Sequence, residues 1–127
     1  MTERFLPGRH LIESFGNGGF RLGGVSHVGS ILIAPSGVRA FDAADVSALT
    51  SERCDVLIAE KDQIDMLLIG TGRNMLPLPK LLLQHFRNAG LGAEAMSTNA
   101  AVRTYNVVLA EDRRVAAIMI AVDKAHG

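Results

Sequence analysis

From Ile64 onward the chain alternates short apolar runs with amphipathic stretches, and this alternation constrains its fold more than any other feature. The runs at 64–69, 92–97 and 114–122 have the length of buried strands, and the stretches at 79–89 and 98–110 between them have the period of helices. Strands and helices linked by a few residues predict layered α/β architecture. Gly90 fits the left-handed position just past a helix end, and Arg87 in the last turn faces the partial negative charge there.

The first third has a different rhythm. HLIESFG, FRL after Gly18-Gly19, VGSILIA, and VRAF after Pro35-Ser36-Gly37 are β-like runs separated by turn residues, so 28–41 is expected to form a hairpin. Asp42 is placed to cap a helix, and 43 to about 60 is expected to hold one broken helix or two short ones jointed at Thr50-Ser51. No internal repeat or low-complexity segment interrupts the order, and residues 1–127 are expected to form one domain.

The chain has thirteen basic and thirteen acidic residues, so no strong net field draws it to nucleic acid or to an anionic membrane over long range, while a local basic patch stays open. The longest apolar runs are far shorter than the roughly 20 residues of a membrane-spanning helix, so no membrane insertion is expected. The single cysteine, Cys54, has no internal disulfide partner and reads as an idle thiol. The N-terminal stretch has no signal-like apolar core, with Glu3 where a basic leader would stand. The expected location is a bacterial cytoplasm.

IDMLLIGTGRNMLPLP, residues 64–79, raises the question of a phosphate site, because a strand running into a glycine loop often cradles one. A dinucleotide fingerprint needs a third glycine where Met75 stands, and the Lys-Ser/Thr ending of a phosphate-binding loop is absent. Pro77 and Pro79 lack N–H groups and push Leu76 and Leu78 out of helical conformation, so the helix is expected to start near Pro79, too late to serve the loop. Glu94, at a loose spacing for a ribose-binding acid, adds little. No cofactor is expected.

One strand later, Ser97-Thr98-Asn99 hands over to a helix without proline in its first turn, and Thr98 is expected to cap it. If the two preceding strands are neighbours, Thr71, Arg73, Thr98 and Asn99 face one crevice where an anion can bind. The blander alternative is that Gly70 and Gly72 only let the chain turn and Thr98 only caps. On the helix, Ala101, Tyr105, Val108 and Leu109 share one face, and Asn99, Arg103 and Asn106 line the opposite one, a set of donors for an anion or a partner's backbone.

Catalytic sets are hard to build. His10, His27, His85 and His126 are scattered, none lies at metal-ligand spacing, and Ser36, Ser51 and Ser97 lack a nucleophile-elbow context. His85, between Leu83 and Phe86 on a helix, reads as a packed or half-exposed side chain rather than a base. No catalytic residue and no metal site is assigned.

LLIGTG followed by LP, then MSTNAAVRTYNVVLAEDRRVAA, together with SFGNGGFRLGGVSHVGSILIAPSGVRAFD, resembles the Mth938-like domain family (DUF498), whose members include mitochondrial assembly factors for respiratory complex I. The resemblance implies a three-layer α/β domain with a mixed central sheet, flanking helices and N-terminal β-hairpins, and no established reaction. By position, Gly70, Thr71 and Gly72 match the family's glycine loop. Thr98, Ala101, Arg103, Thr104, Tyr105 and Asn106 match its helix signature, and Glu111, Arg113 and Arg114 match its final turn. Val102 stands where many relatives have cysteine, which argues against a thiol mechanism, and Asp112 stands where glycine is common.

Two readings follow. The first is a non-catalytic interaction module with protein partners, assisting assembly of a respiratory or other multi-subunit complex through the Gly70–Gly72 loop and the Arg103/Asn106 face. The second is a small-anion or nucleotide-binding domain using the edge formed by Thr71, Thr98 and Arg103.

Overall fold

The computed structural model describes residues 5–124; Glu3 and His126 lie outside them. Among the described residues, fifteen segments include nine strands: β1 (Phe5–Pro7), β2 (Ile12–Gly16), β3 (Gly19–Leu22), β4 (Val25–Val28), β5 (Ser30–Ala34), β6 (Gly37–Phe41), β7 (Met66–Gly70), β8 (Ala93–Met96) and β9 (Val115–Met119). The α-helices are α1 (Asp55–Ala59), α2 (Lys80–Asn88) and α3 (Thr98–Ala110), with three 3-10 turns around α1.

Six strands form a mixed sheet in the order β1-β6-β5-β9-β7-β8, and β2-β3-β4 form a second, antiparallel sheet. β7 runs parallel to both β8 and β9, whereas β5 is antiparallel to β9 and β6. Alternation along each strand sends side chains to opposite faces. Leu32, Leu67, Ile69, Ala116 and Ile118 pack with Leu57, Leu82 and Phe86 from α1 and α2. Ile31, Ile33, Leu68, Ala117 and Met119 pack with Ala101, Val102, Tyr105 and Val108 of α3 and with Ile12, Phe20 and Leu22 of the small sheet. The large sheet is therefore the middle of three layers, as the sequence resemblance implies.

Proline and glycine acted where expected. α2 starts after Pro79 and ends in a double hydrogen bond, Gly90 N to Arg87 O at 3.0 Å and Leu91 N to Phe86 O at 2.8 Å, with Gly90 at φ +83°. α3 closes in the same way: Asp112 N donates to Leu109 O at 2.9 Å and Arg113 N to Val108 O at 3.2 Å, with Asp112 at φ +61°.

Three local expectations need correction. VGSILIA is not one strand: Gly29 at φ +85° turns the chain from β4 in the small sheet to β5 in the large one, so the hairpin spans Ser30–Phe41 rather than 28–41. The cap after β6 is Asp45, whose carboxylate accepts from Ser47 N at 2.8 Å and from the Ser47 hydroxyl, a pairing that lowers its pKa. Asp42 instead lies beside Arg53, which bonds its carbonyl. The third concerns β1, which the sequence did not mark; it gains its place by pairing with β6 at the sheet edge.

Candidate functional site

The Gly-Thr-Gly loop sits where three parallel strands end, and its polar groups are bonded within the fold. Thr71 N donates to Met96 O at 2.8 Å, and Thr98 N donates to Gly72 O at 2.8 Å, which extends the β7–β8 pairing past both strand ends. Ile120 N donates to Gly70 O at 2.9 Å and does the same beside β9. The fully buried Thr98 hydroxyl joins these extensions: it accepts from Gly72 N at 2.9 Å and donates to Ile120 O at 2.7 Å. Gly70 is needed for this approach, since a Cβ there would lie 3.0 Å from both Thr98 Cα and Met119 Sδ.

These bonds correct the expected role of Thr98. The cap of α3 is Ser97, whose Oγ accepts from Ala100 N at 3.2 Å; Thr98 is the first helical residue and its side chain points inward. The buried Thr71 hydroxyl is likewise occupied, donating to Asn74 O at 2.7 Å and accepting from Leu76 N at 3.0 Å, which folds the loop before the prolines. Neither hydroxyl is free for a ligand.

A cleft of about 510 Å³ opens beside this junction, lined by Ala44, Asp45, Thr71, Gly72 and Arg73 and by the chain from Ile120 to Lys124. It takes in Thr71, Gly72 and Arg73 and leaves out Thr98 and Asn99. Its charged groups are Arg73 and Lys124 against Asp45 and Asp123, all exposed. Asp45, Asp123 and Lys124 carried no sequence signal, because only the tertiary fold brings them to the strand ends.

On α3 the expected polar face divides. Asn106 grips the start of β2: its Oδ1 accepts from Ile12 N at 2.8 Å and its Nδ2 donates to Ile12 O at 2.9 Å. Tyr105 reaches the same segment through its hydroxyl, which donates to His10 O at 2.8 Å; burial pushes its pKa up to about 12. Asn106 is thus a fastener rather than a free donor. Arg103, one turn earlier, is exposed and makes no hydrogen bond or ion pair among the described residues. Val107 and Leu11, the neighbours in sequence of Asn106 and Ile12, are 59% and 47% exposed, and the periodicity of α3 alone did not reveal this.

The remaining motif positions close the fold. Arg114 holds Asp65 with two bonds of 3.0 and 2.8 Å at the entry to β7, and the bonded guanidinium keeps the Asp65 carboxyl below its usual pKa. Glu111 and Arg113 are exposed in the turn after α3, and Asn99 is half-buried in its first turn. Val102 is buried in the α3 core. Cys54 is buried too, and burial, aided by the charge of Asp55, pushes its thiol up to about 12. Among the described residues, no three His, Cys, Asp or Glu side chains gather where a metal could bind, and no helix is long and apolar enough to cross a membrane.

The chain belongs to the family described as protein of unknown function DUF498/DUF598, whose model matches residues 12–120. It is similar to the solved structure of an outer membrane protein from Bartonella henselae, at 47% identity and a TM-score of 0.88, covering 94% of this chain and 99% of that one. It is also similar to a Mth938-like domain of Bordetella pertussis, at 26% identity and a TM-score of 0.75, covering 91% and 87% of the two chains. A further relative is NADH dehydrogenase (ubiquinone) 1 alpha subcomplex assembly factor 3 of Xenopus tropicalis, 26% identical over 109 residues, which are 86% of this chain and 60% of that protein.

Proposed function

We propose that this chain is an interaction module that assists assembly of a multi-subunit complex, with a respiratory complex of the complex I kind as its target. The observation that carries the reading is Arg103. It belongs to the helix signature, yet it faces solvent without a partner among the described residues, whereas Thr98, Tyr105 and Asn106 around it are bonded inside the fold. An exposed arginine one turn from the exposed Val107 on the same helix has the chemistry of a protein-contact centre, an apolar anchor beside a planar cation. The kinship with a named assembly factor supports this class of partner.

The test is affinity capture from the native host with the wild-type chain, Arg103→Glu and Val107→Asp. The expected result is a reproducible set of complex subunits with wild type that both variants lose at unchanged thermal stability. Capture of the same set by both variants removes α3 as the contact.

A second reading, a small-anion site, is favoured by the cleft at the strand ends, a usual position for ligands in α/β sheets. With the hydroxyls of Thr71 and Thr98 occupied, Arg73 and Lys124 are the groups that would hold the anion. Thermal shift with phosphate and nucleotides tests it, since a ligand at one hundred times its dissociation constant adds about 2.7 kcal/mol. No shift with any of them retires it.

A further inference from the structure

The loop and helix that follow the Gly-Thr-Gly turn leave apolar side chains outside the core. Met75 is 59%, Leu76 42% and Leu81 82% exposed. They fall within seven consecutive residues, where Pro77 and Pro79 hold the backbone extended and keep the loop from folding them away. Residues 66–93 contain no aspartate or glutamate, while Arg73, Lys80 and Arg87 are all exposed. The span before it has the opposite character: residues 42–65 hold seven acidic residues against two basic ones. Both spans pack on the same face of the large sheet, Leu57 from one and Leu82 and Phe86 from the other. That outer layer is therefore acidic in its first part and basic in its second.

We propose that the Met75–Leu81 segment and the exposed side of α2 dock on an anionic lipid bilayer. Met75, Leu76 and Leu81 enter the boundary between headgroups and acyl chains, and Arg73, Lys80 and Arg87 meet lipid phosphates. Two features favour a bilayer over a partner protein. The apolar side chains protrude from a loop and a first helical turn, and the depression beside them is lined by Lys80, Gln84, Arg87 and Asn88 with Leu83, not by an apolar groove that would receive a partner helix. Apolar insertion combined with a basic rim also supplies the two signals that stable interfacial binding requires, and long cationic side chains can lie along the apolar surface while their heads reach phosphate. The acidic span, repelled by the same lipids, sets the orientation.

This inference does not depend on the assembly reading, and its experiment contains no partner protein. The full chain is sedimented with vesicles of phosphatidylcholine alone or with roughly a third of phosphatidylglycerol, the anionic component that raises the local concentration of cations. The expected result is binding to the anionic vesicles only, weakening with salt. Lys80→Gln with Arg87→Gln reduces partitioning about twenty-five-fold, about fivefold for each cation. Met75→Ser with Leu81→Ser, both at exposed positions, also reduces it, and Leu11→Ser with Val107→Ser leaves it unchanged. Absence of wild-type binding to anionic vesicles overturns the proposal, as does binding that either the Lys80/Arg87 or the Met75/Leu81 double variant leaves intact. Equal binding to the uncharged vesicles removes the role of the cations and overturns it in this form.

Discussion

Replacing Thr98 by valine tests whether one hydroxyl closes the junction of three strands. Valine has the same shape and branching, so packing and rotamer are conserved and the perturbation is confined to the oxygen. It removes the acceptor of the Gly72 N–H and the donor to the Ile120 carbonyl, bonds of 2.9 and 2.7 Å at a fully buried position. A buried polar group left without a partner costs about 1–3 kcal/mol. With the carbonyl less severely affected than the N–H, the expected loss is about 3 kcal/mol, a large part of the roughly 5–15 kcal/mol by which domains are stable. Thr98→Ser keeps the hydroxyl and loses one methyl, for about 1 kcal/mol. Urea unfolding followed by circular dichroism measures both, with the midpoint of the valine variant lowered by about 1–3 M at ordinary denaturant slopes. A valine variant within about 0.5 kcal/mol of wild type, or a serine variant less stable than the valine one, would refute the reasoning behind that figure.

Asn106→Leu removes both bonds to Ile12 and is expected to cost about 2 kcal/mol. Hydrogen exchange should then show lost protection at Ile12 and its β2 neighbours while β7 and β9 keep theirs. Asp112→Gly relieves a left-handed residue at the end of α3 and should raise stability by about 0.5–1 kcal/mol, read as a higher melting temperature. Cys54 and Tyr105 both have folded pKa values raised to about 12 from 9.0 and 10.0. Their protonated forms therefore favour the fold below pH 9.0, and this contribution is lost as pH rises toward 12, because the unfolded chain releases these protons first. Unfolding midpoints measured across that range should fall, and less steeply in Cys54→Ala and Tyr105→Phe.

What was legible in the sequence depended on the range over which each residue acts. Pro79 and Gly90 act on their own backbone, so the limits of α2 were readable directly; the apolar spacing of α3 likewise gave its buried face. Gly29 was a harder case. It lies inside VGSILIA, whose composition reads as one β-like run, and only the assembled molecule shows that the chain turns there from one sheet to the other. Asp42 and Asp45 are both plausible caps by type, and the choice falls to the residue whose carboxylate reaches Ser47 once Phe41 is fixed in the sheet. The fasteners were illegible for the same reason. Asn106 meets Ile12 across 94 residues, and Thr98 meets Ile120 across 22, distances at which no spacing rule operates.

The helix signature mixes two kinds of residue, and the structure separates them by a physical criterion. A polar side chain whose donors and acceptors are bonded inside the fold contributes to stability, and its replacement is felt at once in unfolding experiments. Thr98, Tyr105 and Asn106 are of this kind. An exposed side chain without such a partner contributes little to stability. Arg103 is of this second kind, so Arg103→Ala should leave the unfolding free energy within about 0.5 kcal/mol of wild type. The same contrast reframes the Gly-Thr-Gly loop. Its glycines bring the backbone of β7 against Thr98 and β9 and its threonine is spent on the turn, so what the loop offers outward is the charge of Arg73 at the cleft and the apolar side chains of Met75 and Leu76 beyond it.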